Sequence, residues 1–262
     1  EFALGNFAGQ SGTIRLYGCD GVNRAFEFDG TTLSPITTGV SPDTPKHIAV
    51  HKNYLFVCVK SSIFYSGPGV PFRWGAIDGA GEIATGDTVT DLLVLPGNQA
   101  TGSLGVFCRT NTFVLYGSSA AQWNLVQFNT GTGAFDYTAQ NMNDTYLLDD
   151  RGVTTLQTTL QFGNFAASGL TANIKTFIQA EKTKVAYSTL MREKNQYRLF
   201  FTDGYGLYLT SANGKLVGAT QVLFPDAVNC AWEGTLWTGA YVNYFGTAAG
   251  GYVMQMESGS SF

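Results

Sequence analysis

The sequence predicts an all-β protein in which one small antiparallel sheet is repeated, the architecture of a β-propeller. Three observations carry this. Aromatic residues make up 14% of the chain and charged residues only 13%, a balance opposite to that of disordered chains. The 32 glycines against 7 prolines divide the chain into short runs separated by breakers. One hairpin pattern then recurs six times: an apolar run, a polar turn, and a second apolar run ending near Gly or Ser. Its turns centre near Gly21, Ser61, Thr110, Arg151, Gly204 and Ala249, spaced by about 40–53 residues, the period of a four-stranded blade. The expectation is a single β-propeller domain over 1–262, with six blades of four antiparallel strands.

The first copy is "IRLYGCDGVNRAFEFDG" (14–30), two apolar arms about an Asp-Gly turn. The second, "YLFVCVKSSIFYSGPG" (54–69), is apolar on consecutive positions in both arms. A hairpin that faces water on one side alternates apolar with polar residues. This one does not, so both of its faces must be covered, as in the middle of a blade stacked between two others. Covering the second face contributes about 1.5–3 kcal/mol per large side chain. Its outer partners are expected at 47–51 and 73–77. The third unit is complete, with strands at 89–95, 104–108, 112–116 and 123–128 broken by Pro96-Gly97 and Gly117-Ser118-Ser119.

Weaker copies follow at 145–157, 197–214 and 242–256. Between the fourth and fifth, "LTANIKTFIQAEK" (170–182) places Leu170, Ile174, Phe177 and Ile178 on one stripe, which predicts a short amphipathic helix. The last blade has strands at 230–237, 240–246 and 251–257, and three strands leave an open edge. The strand-like "EFALGNF" at the start is expected to pair there through residues 2–7 and close the circle.

Chemistry is sparse. The net charge of −4 and pI near 5.1 give no basic footprint for tight nucleic-acid binding. No apolar stretch reaches the roughly 18–20 residues needed to span a bilayer, and no signal-peptide pattern is present. Cys19, Cys58, Cys108 and Cys230 form no C-x-x-C pair, which predicts free, buried thiols and a reducing compartment. The first three recur near the end of the first hairpin arm, where a small apolar residue fits. His47 and His51 flank one strand and would stand roughly 13 Å apart, too far to share a metal. Asp29, Asp149-Asp150, Asp203 and Asp226 read as turn formers rather than as carboxylates paired for glycoside chemistry. "GYGLY" (204–208) lacks the strand-to-helix junction of a phosphate loop. Asn143-Asp144-Thr145 fits a glycosylation sequon. No catalytic, cofactor-binding or metal-ligating residue is assigned, and the chain is expected to be non-enzymatic.

The order of several motifs resembles one family. "AFEFDGTTL" (25–33), "NYLFVCVKSSIFYSGPGVPFRW" (53–74), "GDTVTDLLVL" (86–95), "GVFCRTNTFVLYG" (105–117), "NDTYLLDDRGVTTL" (143–156) and "KVAYSTLMREKNQYRLFF" (184–201) follow one another as in propeller-bearing virion proteins of tailed phages. The resemblance is to the tail hub or nozzle proteins of short-tailed phages, the packaged-DNA stabilisation proteins. It implies a structural, homo-oligomeric part of the virion tail, assembled in the bacterial cytoplasm. DNA would pass through it without sequence-specific binding, and portal or adaptor proteins and tail fibres or spikes would attach to it. A mildly acidic surface suits such a passage, because a basic lumen would grip DNA. The isolated chain is expected to be a monomer or weak oligomer. The other reading is a sugar-binding or adhesion propeller using Trp74, Trp123, Trp232 and Trp237, although these do not fall at one repeat position.

Overall fold

The computed structural model describes residues 1–9, 11–97, 102–142, 144–156, 174–212 and 215–258. They belong to two compact units, Glu1–Gly133 and Ala134–Phe262. The fold is all-β: six antiparallel sheets in chain order, three in each unit, in the arrangement of a six-bladed propeller. Within every sheet each strand pairs with the next strand in sequence.

In the first unit, sheet 1 contains β1 (Phe2–Gly5), β2 (Arg15–Gly18), β3 (Phe26–Phe28) and β4 (Leu33–Pro35). Sheet 2 contains β5 (His47–His51), β6 (Tyr54–Val59), β7 (Ser62–Tyr65) and β8 (Gly81–Ala84). Sheet 3 contains β9 (Val89–Val94), β10 (Leu104–Cys108), β11 (Asn111–Tyr116) and β12 (Asn124–Thr130).

All six residues of β6 are buried, and successive side chains enter different cores because strand side chains alternate in direction. Tyr54, Phe56 and Cys58 pack with Leu92, Leu104 and Val106 of sheet 3. Leu55 and Val57 pack with Tyr17 of sheet 1 and with Ala25 and Ile36 beside it. The unbroken apolar run is therefore two interleaved half-faces, each filling the space to a different neighbour. The turn from β5 into β6 places Lys52 at φ 49° and Asn53 at φ 63°. Two consecutive left-handed residues give the tight hairpin turn whose twist matches its strands.

In the second unit, sheet 4 contains β13 (Gln140–Asn141), β14 (Thr145–Leu148) and β15 (Val153–Thr155). Sheet 5 contains β16 (Val185–Met191), β17 (Gln196–Phe201), β18 (Tyr205–Ala212) and β19 (Lys215–Leu223). Sheet 6 contains β20 (Val228–Thr235), β21 (Tyr241–Thr247) and β22 (Val253–Gln255). Among the described residues, sheets 4 and 6 each have three strands.

β17 behaves as β6 does. Tyr197, Leu199 and Phe201 share a core with Tyr146, Leu148 and Val153 of sheet 4, whereas Phe200 packs with Val228, Phe245 and Met256 on the sheet 6 side. The helix α1 (Lys175–Glu181) lies within the predicted segment. Ile178 is fully buried in the sheet 4 core, with Ile174 and Phe177 against it. Leu170 and Asn143 lie outside the described residues.

Two expectations are corrected. The outer strand of sheet 2 is Gly81–Ala84 and not 73–77. Residues 67–79 instead form tight turns, in which Gly67 N–H donates to Arg73 O at 2.8 Å and Trp74 Nε1 donates to Pro71 O at 2.9 Å. A 3-10 turn over Ala76–Asp78 follows. The N-terminal strand does not join the last sheet. All four residues of β1 pair with β2, with Phe2 opposite Gly18 and Gly5 opposite Arg15. The short loop between β1 and β2 makes that local pairing easy to close.

Candidate functional site

The first strands of sheets 1, 2 and 3 lie side by side, and each brings an ionisable side chain to one place. Glu1 immediately precedes β1. Its ammonium donates to Cys19 O at 2.6 Å and Cys19 N–H donates back to Glu1 O at 3.0 Å, which extends the β1–β2 ladder by one pair. His47 opens β5 opposite Cys58. Asp91 lies in β9 opposite Phe107, where its Oδ1 accepts from Leu92 N–H at 2.9 Å.

Glu1, His47 and Asp91 each offer one ligand-capable atom, and these atoms all lie within 4.8 Å of one another. His47 Nδ1 is 2.9 Å from Glu1 Oε2. The His47 side chain is fully buried and the Glu1 side chain 16% exposed, and Asp91 is buried. Among the described residues this is the group of three His, Cys, Asp or Glu side chains able to hold a metal ion. Two thiols stand close by. Burial, followed by the negative charge of Glu1, pushes Cys19 up to about 12 and raises Cys58 well above the ordinary thiol range.

The other histidine stands at the far end of β5. His51 is buried and lines a cleft of about 420 Å³ together with Lys52, Asn53, Val94, Leu95 and Ser118. Its ring lies 6.3 Å from that of Trp123, and among the described residues neither His51 Nε2 nor Trp123 Nε1 has a hydrogen-bond partner. Burial, aided by Lys52, lowers His51 to about 4, so it is a neutral imidazole at physiological pH.

The aspartates expected in turns are found there. Asp29 Oδ1 accepts from Thr31 and Thr32 N–H at 2.8 and 2.7 Å. Asp149 Oδ1 accepts from Arg151 and Gly152 N–H at 2.7 and 3.0 Å. Asp203 accepts from Tyr205 N–H at 3.3 Å and from Lys184 Nζ at 2.8 Å. Asp226 reaches further: it precedes β20 and accepts from Ala249 N–H, 23 residues on, at the β21–β22 turn. Asp87, which precedes β9, accepts from Thr110 N–H at 2.7 Å across the same 23-residue offset. Three of the cysteines are buried, and Cys230 is exposed.

The tryptophans divide into two kinds. Trp74 packs against the core between sheets 1 and 2, and Trp123 sits among Tyr54, Phe56 and Tyr65 at ring distances of 5.4–6.2 Å. Trp237 is 97% exposed and Trp232 is 53% exposed, the latter stacked on Tyr244 at 6.3 Å.

Sequence reasoning weighed His47 only against His51 and did not single out Glu1 or Asp91. The three residues lie in three different repeats, so no local spacing marks them. The available signal was an acid, Asp91, inside the apolar run "VTDLLVL".

No family model matches the chain, and no curated protein does. Solved structures share the fold. BBS1N in complex with ARL6DN, soaked with lead, superposes with a TM-score of 0.60 at 11% identity, over 94% of this chain and 74% of that one. The WD40 β-propeller domain of Doa1 gives 0.52 at 11% identity, over 97% and 80%. The computationally designed Ika8 protein gives 0.52 at 12% identity, over 96% and 69%. At these identities the likeness concerns architecture alone.

Proposed function

We propose that this chain is a non-enzymatic structural propeller of a tailed-phage virion, a tail hub or nozzle component that assembles as a ring and carries tail fibres or spikes. One observation carries the reading. The motifs whose order resembles that family occupy equivalent places in successive sheets. Segments 53–74, 105–117 and 143–156 supply the β6–β7, β10–β11 and β14–β15 hairpins. The resemblance therefore follows the sheet repeat rather than isolated loops. A chain whose repeated motifs are committed to packing leaves sheet edges and turns for partners.

The test is immunogold electron microscopy of virions whose genome encodes the chain, with antibody raised against the purified protein. Label at the tail supports the reading; a virion lacking the protein by mass spectrometry overturns it. A second reading, glycan adhesion, draws on exposed Trp237 and the Trp232–Tyr244 stack. It requires saturable glycan binding that Trp237→Ala or Trp232→Ala abolishes.

A further inference from the structure

Glu1, His47 and Asp91 come from the openings of three successive sheets, and their ligand atoms lie within 4.8 Å of one another. Two carboxylates this close in a largely dry place repel unless positive charge stands between them. A protonated imidazole supplies one such charge. A divalent cation balances both carboxylates and leaves His47 neutral, with a ring nitrogen lone pair to donate. Two carboxylate oxygens and one imidazole nitrogen suit a first-row transition metal, because magnesium and calcium favour oxygen ligands. The spacing also fits. Bonds of about 2.0–2.2 Å in a tetrahedral site put neighbouring ligand atoms roughly 3.3 Å apart, and His47 Nδ1 and Glu1 Oε2 are already 2.9 Å apart. Small side-chain rotations about the fixed strands would bring the third atom into range.

We propose that Glu1, His47 and Asp91 form a binding site for one divalent first-row transition metal ion of the zinc type, bridging the first strands of sheets 1, 2 and 3. Three protein ligands leave a position for water or for a group from outside. The role that follows is structural. A single ion would join the start of β1, β5 and β9 at one point, adding to the Glu1–His47 contact already there. The inference is independent of the virion reading and stands or falls on binding measurements alone.

The experiment uses the full chain, stripped with a chelator and dialysed, with Zn²⁺ as the titrant in calorimetry. The expected result is one equivalent bound per chain and a rise in melting temperature of about 5 °C under saturating metal. Asp91→Asn and Glu1→Ala should each weaken binding by at least about tenfold, with circular dichroism unchanged. Glu1→Ala carries the test if Asp91→Asn does not fold, because the Glu1 side chain is partly exposed. Co²⁺ provides a second readout: its visible bands should appear on binding without the strong near-ultraviolet absorption of a cobalt–thiolate bond. Substoichiometric Zn²⁺ binding, wild-type affinity in both variants, or a thiolate band from Cys58 or Cys19 would each overturn the proposal.

Discussion

The Arg198 guanidinium lies 4.1 Å over the centre of the Tyr208 ring, on a side chain that is wholly buried. Its charge is answered by Glu257, whose Oε1 accepts from Nη2 at 2.6 Å, and by Gln196 Oε1, which accepts from Nε at 3.1 Å. Arg198 belongs to β17, and Glu257 follows β22, so the pair joins sheets 5 and 6. Burial pushes the Glu257 carboxyl up, but the bonds from Lys194 and Arg198 outweigh it and hold the group below the usual carboxylate range. Removing one partner of a buried ion pair is far more damaging than replacing both. Arg198 is wholly buried but the Glu257 side chain is 34% exposed, so water screens part of the pair and Glu257→Gln should lower stability by about 1–2 kcal/mol. The double variant Arg198→Met with Glu257→Gln should recover most of that loss. Denaturant unfolding of the four proteins measures the coupling, and additive losses would refute it.

His51 gives the fold a pH dependence of known sign. Its folded value, about 4, lies below the roughly 6.5 of an unfolded imidazole. Above about pH 6.5 neither state binds the proton and the residue is silent. Between about 6.5 and 4 the unfolded chain binds it and the native one does not, so stability falls as pH falls. The slope approaches about 1.4 kcal/mol per pH unit and the full loss is about 3 kcal/mol. His51→Leu should flatten this part of the stability profile. An unchanged slope in that variant would show that other groups set it.

The thiols should divide by burial. Cys19 and Cys108 are each pushed up to about 12, chiefly by burial, and Cys58 well above its ordinary value, so none offers thiolate near neutrality. Cys230 is exposed. A disulfide reagent at pH 8 should titrate one thiol in the native protein and all 4 after denaturation. Cys230→Ser should remove the fast reaction entirely, and rapid labelling that persisted in that variant would contradict the buried assignment.

Asp87 and Asp226 should act in the same direction, Asp87 more strongly. Asp87 Oδ2 accepts from both the N–H and the hydroxyl of Thr110 at 2.7 Å, and these bonds hold its carboxyl low although burial opposes them. Asp87→Ala should cost about 1–2 kcal/mol, read as a lower urea midpoint. Asp226→Ala should shift the midpoint in the same direction by less, because its acceptor bonds are 3.2 Å long. A null effect of Asp87→Ala would sink the assignment.

Strand positions were legible where burial is two-sided, because β6 and β10 are buried along their whole length and permit no polar residue to blur the run. The outer strand of sheet 2 was not. "GEIA" is short, half-exposed and preceded by apolar residues that belong to turns, among them Ile77 at 98% exposure. The N-terminal strand was recognised as a strand but assigned the wrong partner, since its own sequence does not say which edge it will join. The Glu1–His47–Asp91 group was invisible for another reason. Each member is ordinary in its own repeat, and only the stacking of first strands makes them neighbours.

The shared 23-residue offset of Asp87 and Asp226 has a kinetic consequence. Every described strand pairs with its sequence neighbour, and each of these carboxylates reaches a turn made only 23 residues later. Loop closures this short make a β-protein fast to search. Pulse-labelled hydrogen exchange during refolding should accordingly protect the amides of β9 to β12 as one group. On a ribosome, sheet 3 has all its pairing partners once Thr130 has emerged, so nascent chains need hold only one unfinished sheet at a time.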